Sequence, residues 1–168
     1  MSLLESLTEF VKGNMPERAM DGFDSLMDEV RFVPAARDLG AGQYRLAIMQ
    51  YTATLAWERF PYRLCPPQLV MALLLAWYQS DGAAAMDAIN VDWELPEMDV
   101  EIIDDETAIV VVTAQMAEPL DLLEDADGAI PLDGQRWKLA DATVWTAEQA
   151  IFYFGSGNGT WPVQSEVS

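Results

Sequence analysis

The stretch PPQLVMALLLAWYQS, residues 66–80, decides how the rest of the chain must fold. Its apolar run over residues 70–78 leaves no polar stripe, and such a helix is buried on several sides or inserted in lipid. The run is about half of the roughly 20 residues that span a bilayer, so the sequence predicts a core helix. Two prolines at its start and Gly82 just after its end mark the two termini.

The segments before this helix predict one further helix and two strands. Residues 2–12 place apolar side chains at helical spacing behind a capping box. Residues 26–34 predict a strand, and residues 43–60 predict a long strand with alternating apolar and polar residues. A strand of that length bends or projects beyond its sheet. Residues 35–42 are expected to form a long hairpin loop between the two strands.

A hairpin is predicted after the core helix, with strands at residues 97–103 and 107–116. If Ile103 pairs with Thr107, one face of this hairpin carries only apolar side chains and belongs on the core helix. The opposite face combines acidic residues with isoleucine and valine, which is typical neither of a core nor of a fully solvated surface.

The C-terminal part of the chain is expected to be less regular. Residues 119–128 predict an acidic loop, and residues 129–140 predict a small hairpin that turns at an Asp-Gly pair. Residues 150–154 predict a short apolar strand, and residues 155–168 a flexible tail after a single domain at residues 1–154. The whole pattern predicts an α+β fold: a mainly antiparallel sheet of about four strands, two helices packed on one face, and a small C-terminal hairpin.

The charge composition excludes several classes of function. The net charge is −19, and the nine basic residues leave the span from Leu64 to Gln135 without any lysine or arginine. Sequence-specific binding to nucleic acid is therefore not expected, because phosphate affinity comes from basic side chains. One cysteine, no predicted membrane span and no predicted signal peptide indicate a soluble protein of a reducing compartment.

The chain contains no histidine, which removes the usual nucleophile pairs and histidine metal sites. Carboxylate pairs such as Asp99 with Glu101 could hold calcium or magnesium or act as acid and base, but a chain with 28 acidic residues produces such pairs by chance. Cys65 precedes the core helix and is expected to be a buried residue rather than a catalytic thiol. No catalytic residue, metal ligand or cofactor site is predicted.

Six tryptophans exceed what a core of this size ordinarily needs. Trp57 and Trp77 are predicted to be core residues. Trp145 and Trp161 either pin down the C-terminal segments or anchor a partner, since tryptophan is favoured at interface centres.

The middle of the chain resembles a known family. The segments that carry this resemblance are YRLAIMQYTATLAWERFPYRLCPPQLVMALLLAWYQS at residues 44–80, MDVEIIDDETAIVVVTAQMAEPL at residues 98–120, and DGAI followed by a tryptophan-containing hairpin. With the N-terminal helix, they resemble the tail completion protein R family of contractile-tailed phages and related prophages. The resemblance covers residues 2–138 and includes no catalytic motif.

This resemblance implies a structural, non-enzymatic role in the virion tail, with assembly in the bacterial cytoplasm. A hexameric ring is implied at the head-proximal end of the tail tube or sheath, where it stops growth and offers a surface for head joining. Tube, sheath and head-completion proteins are the implied partners. We expect an acidic face to line the ring lumen and arginines to contact the next subunit. The lumen candidates are Glu97, Asp99 and Glu101, and the contact candidates are Arg31, Arg37, Arg45, Arg59 and Arg63.

Three other functions remain open from the residues alone. The acidic charge is also typical of a DNA mimic that inhibits a basic nucleic-acid enzyme. An acidic secretion chaperone or immunity protein would form a stable one-to-one complex or a homodimer. A metal-dependent hydrolase is the enzymatic alternative, and it requires divalent-cation binding.

Overall fold

The computed structural model describes residues 2–140. The helical segments are α1 (Leu3–Asn14), a 3-10 helix (Glu17–Met20), α2 (Pro67–Trp77), a π-helical turn (Tyr78–Gly82) and α3 (Ala83–Asp87). The strands are β1 (Phe23–Gly40), β2 (Gln43–Phe60), β3 (Glu97–Ile102), β4 (Ala108–Glu124), β5 (Ile130–Leu132) and β6 (Gln135–Leu139). The expected strand at 150–154, the tail at 155–168 and the domain boundary at 154 lie outside the described residues, as do Trp145 and Trp161.

The strands of the described region form one antiparallel sheet in the order β1-β2-β4-β6-β5, and β3 pairs with the first part of β4. β4 is therefore central: β2 follows one of its edges, while β3 and β6 share the other. The core cluster brings α1 and α2 onto one face of the sheet, since Leu7 of α1 and Leu74 of α2 belong to the same buried cluster as Leu55 and Val112. The predicted α+β fold is confirmed, and the small hairpin is part of the same six-stranded sheet.

The first helix forms where its sequence predicts it. The hydroxyl of Ser2 accepts the amide of Glu5 at 3.1 Å, and the Glu5 carboxylate accepts the amide of Ser2 at 3.1 Å. This reciprocal pair is the capping box. Leu4, Leu7 and Val11 are fully buried on one side of the helix.

The core helix differs from its prediction in two ways. Val70, Leu74 and Trp77 are buried at positions i, i+4 and i+7, whereas Ala72 and Ala76 are exposed, so one face is buried rather than several. Gly82 does not end the helix, because a π-helical turn carries it on into α3. Gly82 lies against its own preceding turn, where an added Cβ would come within 2.5 Å of Trp77 Cζ3.

The continuous helical segment is consequently longer than expected. In the described part of the chain, one helix, Pro67–Asp87, is long and apolar enough by composition to cross a membrane. It includes Asp81 and Asp87, and Val70, Leu74 and Trp77 pack it into the core beneath the sheet. These contacts are those of a core helix.

The predicted loop at residues 35–42 is wrong. β1 continues to Gly40 and turns through Ala41 and Gly42 only, both with positive φ (53° and 75°), as a two-residue hairpin turn requires. β1 and β2 are each 18 residues long, and they bend at register shifts, one of them at Glu29 with φ of 51°.

β4 also runs further than predicted, so the expected loop at residues 119–128 is a strand up to Glu124. The extension pairs with the first half of β2, from Pro119 opposite Ile48 to Leu123 opposite Gln43. Pro119 is tolerated there because it lies between β3 and β6, where one edge of β4 lacks a strand partner among the described residues.

The small hairpin turns at Asp133 and Gly134, as predicted, with φ of 51° and 78°. The backbone of Trp137 lies so close to Gly128 that an added Cβ at Gly128 would lie 2.1 Å from the Trp137 carbonyl oxygen. Its indole N–H donates to the carbonyl of Leu132 at 3.2 Å. Trp57 and Trp77 are fully buried, which confirms their prediction as core residues.

Candidate functional site

The face of the sheet turned away from α1 and α2 is called here the open face. On β2 and β4 the residues directed to the helices are buried, among them Leu55, Trp57, Val110 and Val112. The alternating residues between them, such as Thr54 and Val111, therefore lie on the open face. Its side chains include Asp24, Leu26, Asp28, Thr52, Thr54, Ala56, Ile109, Val111, Thr113, Glu97, Asp99 and Glu101, and, further along β1 and β2, Arg31 and Gln50.

The three predicted lumen residues lie together on this face, along the outer strand β3. Glu97 pairs with Thr113, Asp99 with Val111 and Glu101 with Ile109, and all three acidic residues are exposed. The predicted hairpin register is confirmed, including Met98 opposite Val112 and Ile102 opposite Ala108.

The opposite edge of the open face is also acidic. Asp24 and Asp28 on β1 lie opposite Ala56 and Thr52 of β2. Partial burial raises the pKa of the Asp24 carboxyl, an amide hydrogen bond from Ser25 lowers it, and the charge of Glu58 raises it further. Carboxylates thus flank an uncharged centre of threonine, alanine and valine on both sides.

The five predicted contact arginines do not form one cluster. Arg45 is held within the subunit, where Nε and Nη2 donate to the two carboxylate oxygens of Asp121 at 2.8 and 3.1 Å. This pair raises the pKa of the Arg45 guanidinium. Arg63 donates to the backbone carbonyl of Asp105, beside the 2.8 Å hydrogen bond from the Tyr62 hydroxyl to the carbonyl of Asp104.

The other three arginines are exposed. Arg31 lies on β1 and donates from Nε to the side-chain oxygen of Gln50 at 3.1 Å. Arg37 lies six positions further along the same strand, opposite Arg45, and Arg59 lies near the end of β2. Within residues 2–140, none of the three forms an ion pair with a carboxylate.

Sequence reasoning missed two groups of exposed apolar residues. On β1 these are Val30, Phe32 (57% exposed) and Val33. On β3, Val100 and Ile102 (57% exposed) were assigned to the core, and that assignment is wrong because α2 does not cover this outer strand. Alternation identifies which residues share a face, but it does not show whether a helix covers that face. For β1, the available signal was the apolar pair Phe32-Val33 directly before Pro34, because a proline within a sheet indicates an edge strand.

Two buried titratable side chains, Cys65 and Tyr78, have raised pKa values. Cys65 is buried, as predicted, and burial raises the pKa of its thiol, which favours the unreactive protonated form. Burial also raises the pKa of the Tyr78 hydroxyl to about 12, and this hydroxyl donates to the carbonyl of Gln115 at 3.2 Å. Among residues 2–140, no three Asp, Glu or Cys side chains are grouped so that they could hold a metal ion.

Comparison with known proteins places these features in context. The chain is 26% identical over 147 residues to an uncharacterised 19.2 kDa protein from the rep-hol intergenic region of Haemophilus phage HP1, covering 88% of this chain and 87% of that relative. No solved structure matches the chain. Residues 1–141 match the family described as P2 phage tail completion protein R (GpR). Because this match spans most of the sequence, the chain belongs to the P2 phage tail completion protein R family, a family of structural tail proteins.

Proposed function

We propose that this protein completes the tail by forming a hexameric ring at the head-proximal end of the tail tube or sheath. The ring stops further growth and offers a surface for head joining. Family membership supports the tail role. The observation that carries the ring is that two outer strands of the sheet differ in charge: residues 30–37 of β1 contain two arginines and no carboxylate, whereas β3 contains three carboxylates and no basic residue. Unlike edges favour head-to-tail contacts, which close into rings.

In this arrangement the open face lines the lumen, with Glu97, Asp99 and Glu101 among its carboxylates. DNA that passes through such a ring meets like charge, which repels phosphate and discourages adhesion. The uncharged centre of the open face, with Thr54 and Val111, offers no cation to retain a phosphate. The protein acts by binding, without catalysis and without a cofactor.

The proposed partners follow from this position. They are the tail tube or sheath protein on one side, a head-completion protein on the other, and further copies of this chain around the ring. The protein assembles in the bacterial cytoplasm and remains in the virion tail. Arg31, Arg37 and Arg59 are the arginines available for the next subunit, since Arg45 is paired with Asp121 and Arg63 with the carbonyl of Asp105.

The test is electron microscopy of tails from the native host with and without this gene. We expect overlong, uncapped or headless tails without the gene and normal particles when it is restored. Normal infectious particles without the gene would reject the proposal. The next experiment would then be a pull-down for a basic protein partner.

The lumen assignment needs its own variant. We expect Glu97→Lys, Asp99→Lys and Glu101→Lys together to reduce DNA delivery per completed tail. The matched control reverses three exposed acidic residues on the helices, Glu9→Lys, Asp81→Lys and Asp87→Lys, with the same change in charge. Equal delivery by both triple variants would contradict the lumen assignment.

A further inference from the structure

Two outer strands of the sheet each contain a stretch that combines exposed apolar residues with charge, and the two stretches differ in the sign of that charge. The basic edge is residues 30–37 of β1, with Val30, Arg31, Phe32, Val33 and Arg37, and it lies between the acidic residues Glu29 and Asp38. The acidic edge is β3 with Glu97, Asp99, Val100, Glu101 and Ile102. Soluble monomers seldom leave aliphatic and aromatic side chains exposed in clusters, and such clusters mark interaction surfaces. The charges indicate that each edge would bind a surface of the opposite charge.

The two edges also match face by face. Arg31 lies opposite Gln50 on the open face, whereas Phe32 lies opposite Met49 on the helix-covered face. On β3, Asp99 lies on the open face, whereas Val100 and Ile102 lie on the helix-covered face. When β3 of one copy is set beside β1 of the next with both open faces on the same side, carboxylates meet Arg31 and aliphatic side chains meet Phe32.

We infer that the acidic edge of one copy docks on the basic edge of the next, with Val100 and Ile102 packed against Phe32 and the β3 carboxylates beside Arg31 and Arg37. This inference rests on the proposed function, because it names the contact that builds the ring. The contact is heterologous, so each subunit uses both edges and the open faces of all subunits turn to the same side.

The docking stretch on β1 is short. The bulge at Glu29 and the proline at position 34 interrupt the regular row of backbone groups at this edge, which limits strand-to-strand pairing to residues 30–33. Side-chain packing and charge therefore contribute most of the contact, and the bulge keeps β1 from pairing along its whole length with unrelated strands.

The geometry also requires successive copies to be displaced along the strands. Val100 pairs with Val110 of β4, which pairs with Trp57 of β2. Arg31 pairs with Gln50, which lies seven residues before Trp57 on β2. At roughly 3.4 Å per residue, this is a displacement of about 24 Å. A closed ring accommodates it when the strands are tilted to the ring axis, as in closed barrels.

Disulfide trapping tests this contact directly. The chain has one cysteine, Cys65, and it is buried, so added cysteines are the accessible thiols of the described region. Within one subunit, β1 and β3 are separated by β2 and β4, about 14 Å at roughly 4.8 Å per strand, which exceeds the reach of a disulfide. A disulfide between position 32 and position 102 therefore joins two copies.

We expect Phe32→Cys with Ile102→Cys, oxidised in completed tails, to give a ladder of linked chains that ends at a discrete oligomer. An equal mixture of the two single variants gives linked dimers only, and either single variant alone gives monomers. Linked homodimers of Phe32→Cys alone would show a symmetric contact and overturn the inference. Absence of linked species in completed tails would overturn it as well.

Charge reversal tests the electrostatic half of the contact. We expect Arg31→Glu with Arg37→Glu to lower the yield of linked chains by about tenfold, the change that accompanies a loss of about 1.4 kcal/mol in contact free energy. Adding Glu97→Lys, Asp99→Lys and Glu101→Lys restores the yield. An unchanged yield after reversal, or no restoration, contradicts charge pairing at this contact.

The outcomes separate this inference from the proposed function. If deletion of the gene leaves tails normal, the proposed function fails, whatever links form in the purified protein. If deletion disrupts tails but the cysteine pair gives no ladder in tails restored by that variant, only the docking of these two edges is wrong.

Discussion

The hydroxyl of Tyr51 donates a 2.5 Å hydrogen bond to Glu118 Oε2, and the same oxygen accepts the amide of Leu3 at 3.2 Å. Tyr51 belongs to β2, Glu118 to β4 and Leu3 to the first turn of α1. One carboxylate thus connects two long paired strands to the first helix. A negative charge at this position also interacts favourably with the amino-terminal end of the helix dipole.

We expect Glu118→Ala to lower the free energy of unfolding by about 1–3 kcal/mol, because the buried Tyr51 hydroxyl and the Leu3 amide both lose this acceptor. Urea denaturation followed by tryptophan fluorescence measures the change. The exposed turn residue Glu106 supplies the control, and Glu106→Ala should stay within about 0.5 kcal/mol of the wild type. Equal effects of the two substitutions would show that the carboxylate does not connect these elements.

Two glycines in helical segments should respond in opposite ways to alanine. At Gly82 an added Cβ lies 2.5 Å from Trp77 Cζ3 and 2.9 Å from Tyr78 Cδ1, so we expect Gly82→Ala to destabilise the fold by about 1–3 kcal/mol. At Gly13 nothing lies within 4 Å, and Gly13→Ala should be neutral or stabilising by up to about 1 kcal/mol. Thermal unfolding of both variants gives the comparison. A stable Gly82→Ala variant would mean that the π-helical turn relaxes without cost.

Local signals in the sequence predicted local structure well. The capping box at Ser2, the turn at Asp133 and the register of Val100 opposite Val110 depend on neighbouring residues, and all three are confirmed. Gly82 was misread because the end of a helix depends on packing: here the glycine is needed for its small size beside Trp77. Its position after an apolar run does not distinguish that role from a helix stop.

Features that depend on distant parts of the chain could not be predicted. β4 extends to Glu124 because β2, far away in sequence, provides a partner for its second half. Arg45 was expected to contact a neighbouring subunit, but Asp121, 76 residues away in sequence, pairs with it inside the subunit. The exposure of Ile102 depends on how far α2 reaches across the sheet, which the sequence of β3 does not specify.

The Arg45–Asp121 pair should be measurable as an interaction within one subunit. Both oxygens of Asp121 are engaged, and the two side chains are only 18% and 20% exposed. We expect a double-mutant cycle with Arg45→Ala and Asp121→Ala to give a coupling of about 1 kcal/mol in unfolding free energy, near the upper end for exposed pairs. Arg59→Ala, at an exposed position, is the control and should leave stability unchanged. A coupling free energy of zero would show that Asp121 does not hold Arg45 within the subunit, and Arg45 would again be a candidate for contact with a neighbouring subunit.

The turn between β3 and β4 depends on one carboxylate. Asp104 Oδ1 accepts the amide of Glu106 at 2.9 Å, and the amide and hydroxyl of Thr107 at 2.8 and 3.0 Å. These hydrogen bonds favour the charged form and hold the pKa of Asp104 below its ordinary value of 3.8. The folded state therefore binds this proton less readily than the unfolded state, and the carboxylate stabilises the fold above the ordinary pKa.

We expect Asp104→Ala to lower the melting temperature at pH 7. This difference from the wild type should shrink as the pH falls through the depressed pKa, because the wild-type carboxyl then becomes protonated in the folded state as well as in the unfolded state. The adjacent Asp105→Ala is the matched control, because Arg63 contacts the backbone carbonyl of Asp105, which the substitution retains. Calorimetry of the three proteins at a series of pH values from 7 down into the acid range below the ordinary pKa of 3.8 makes the comparison. A melting-temperature difference that stays constant over the whole series would show that Asp104 acts through its shape rather than its charge.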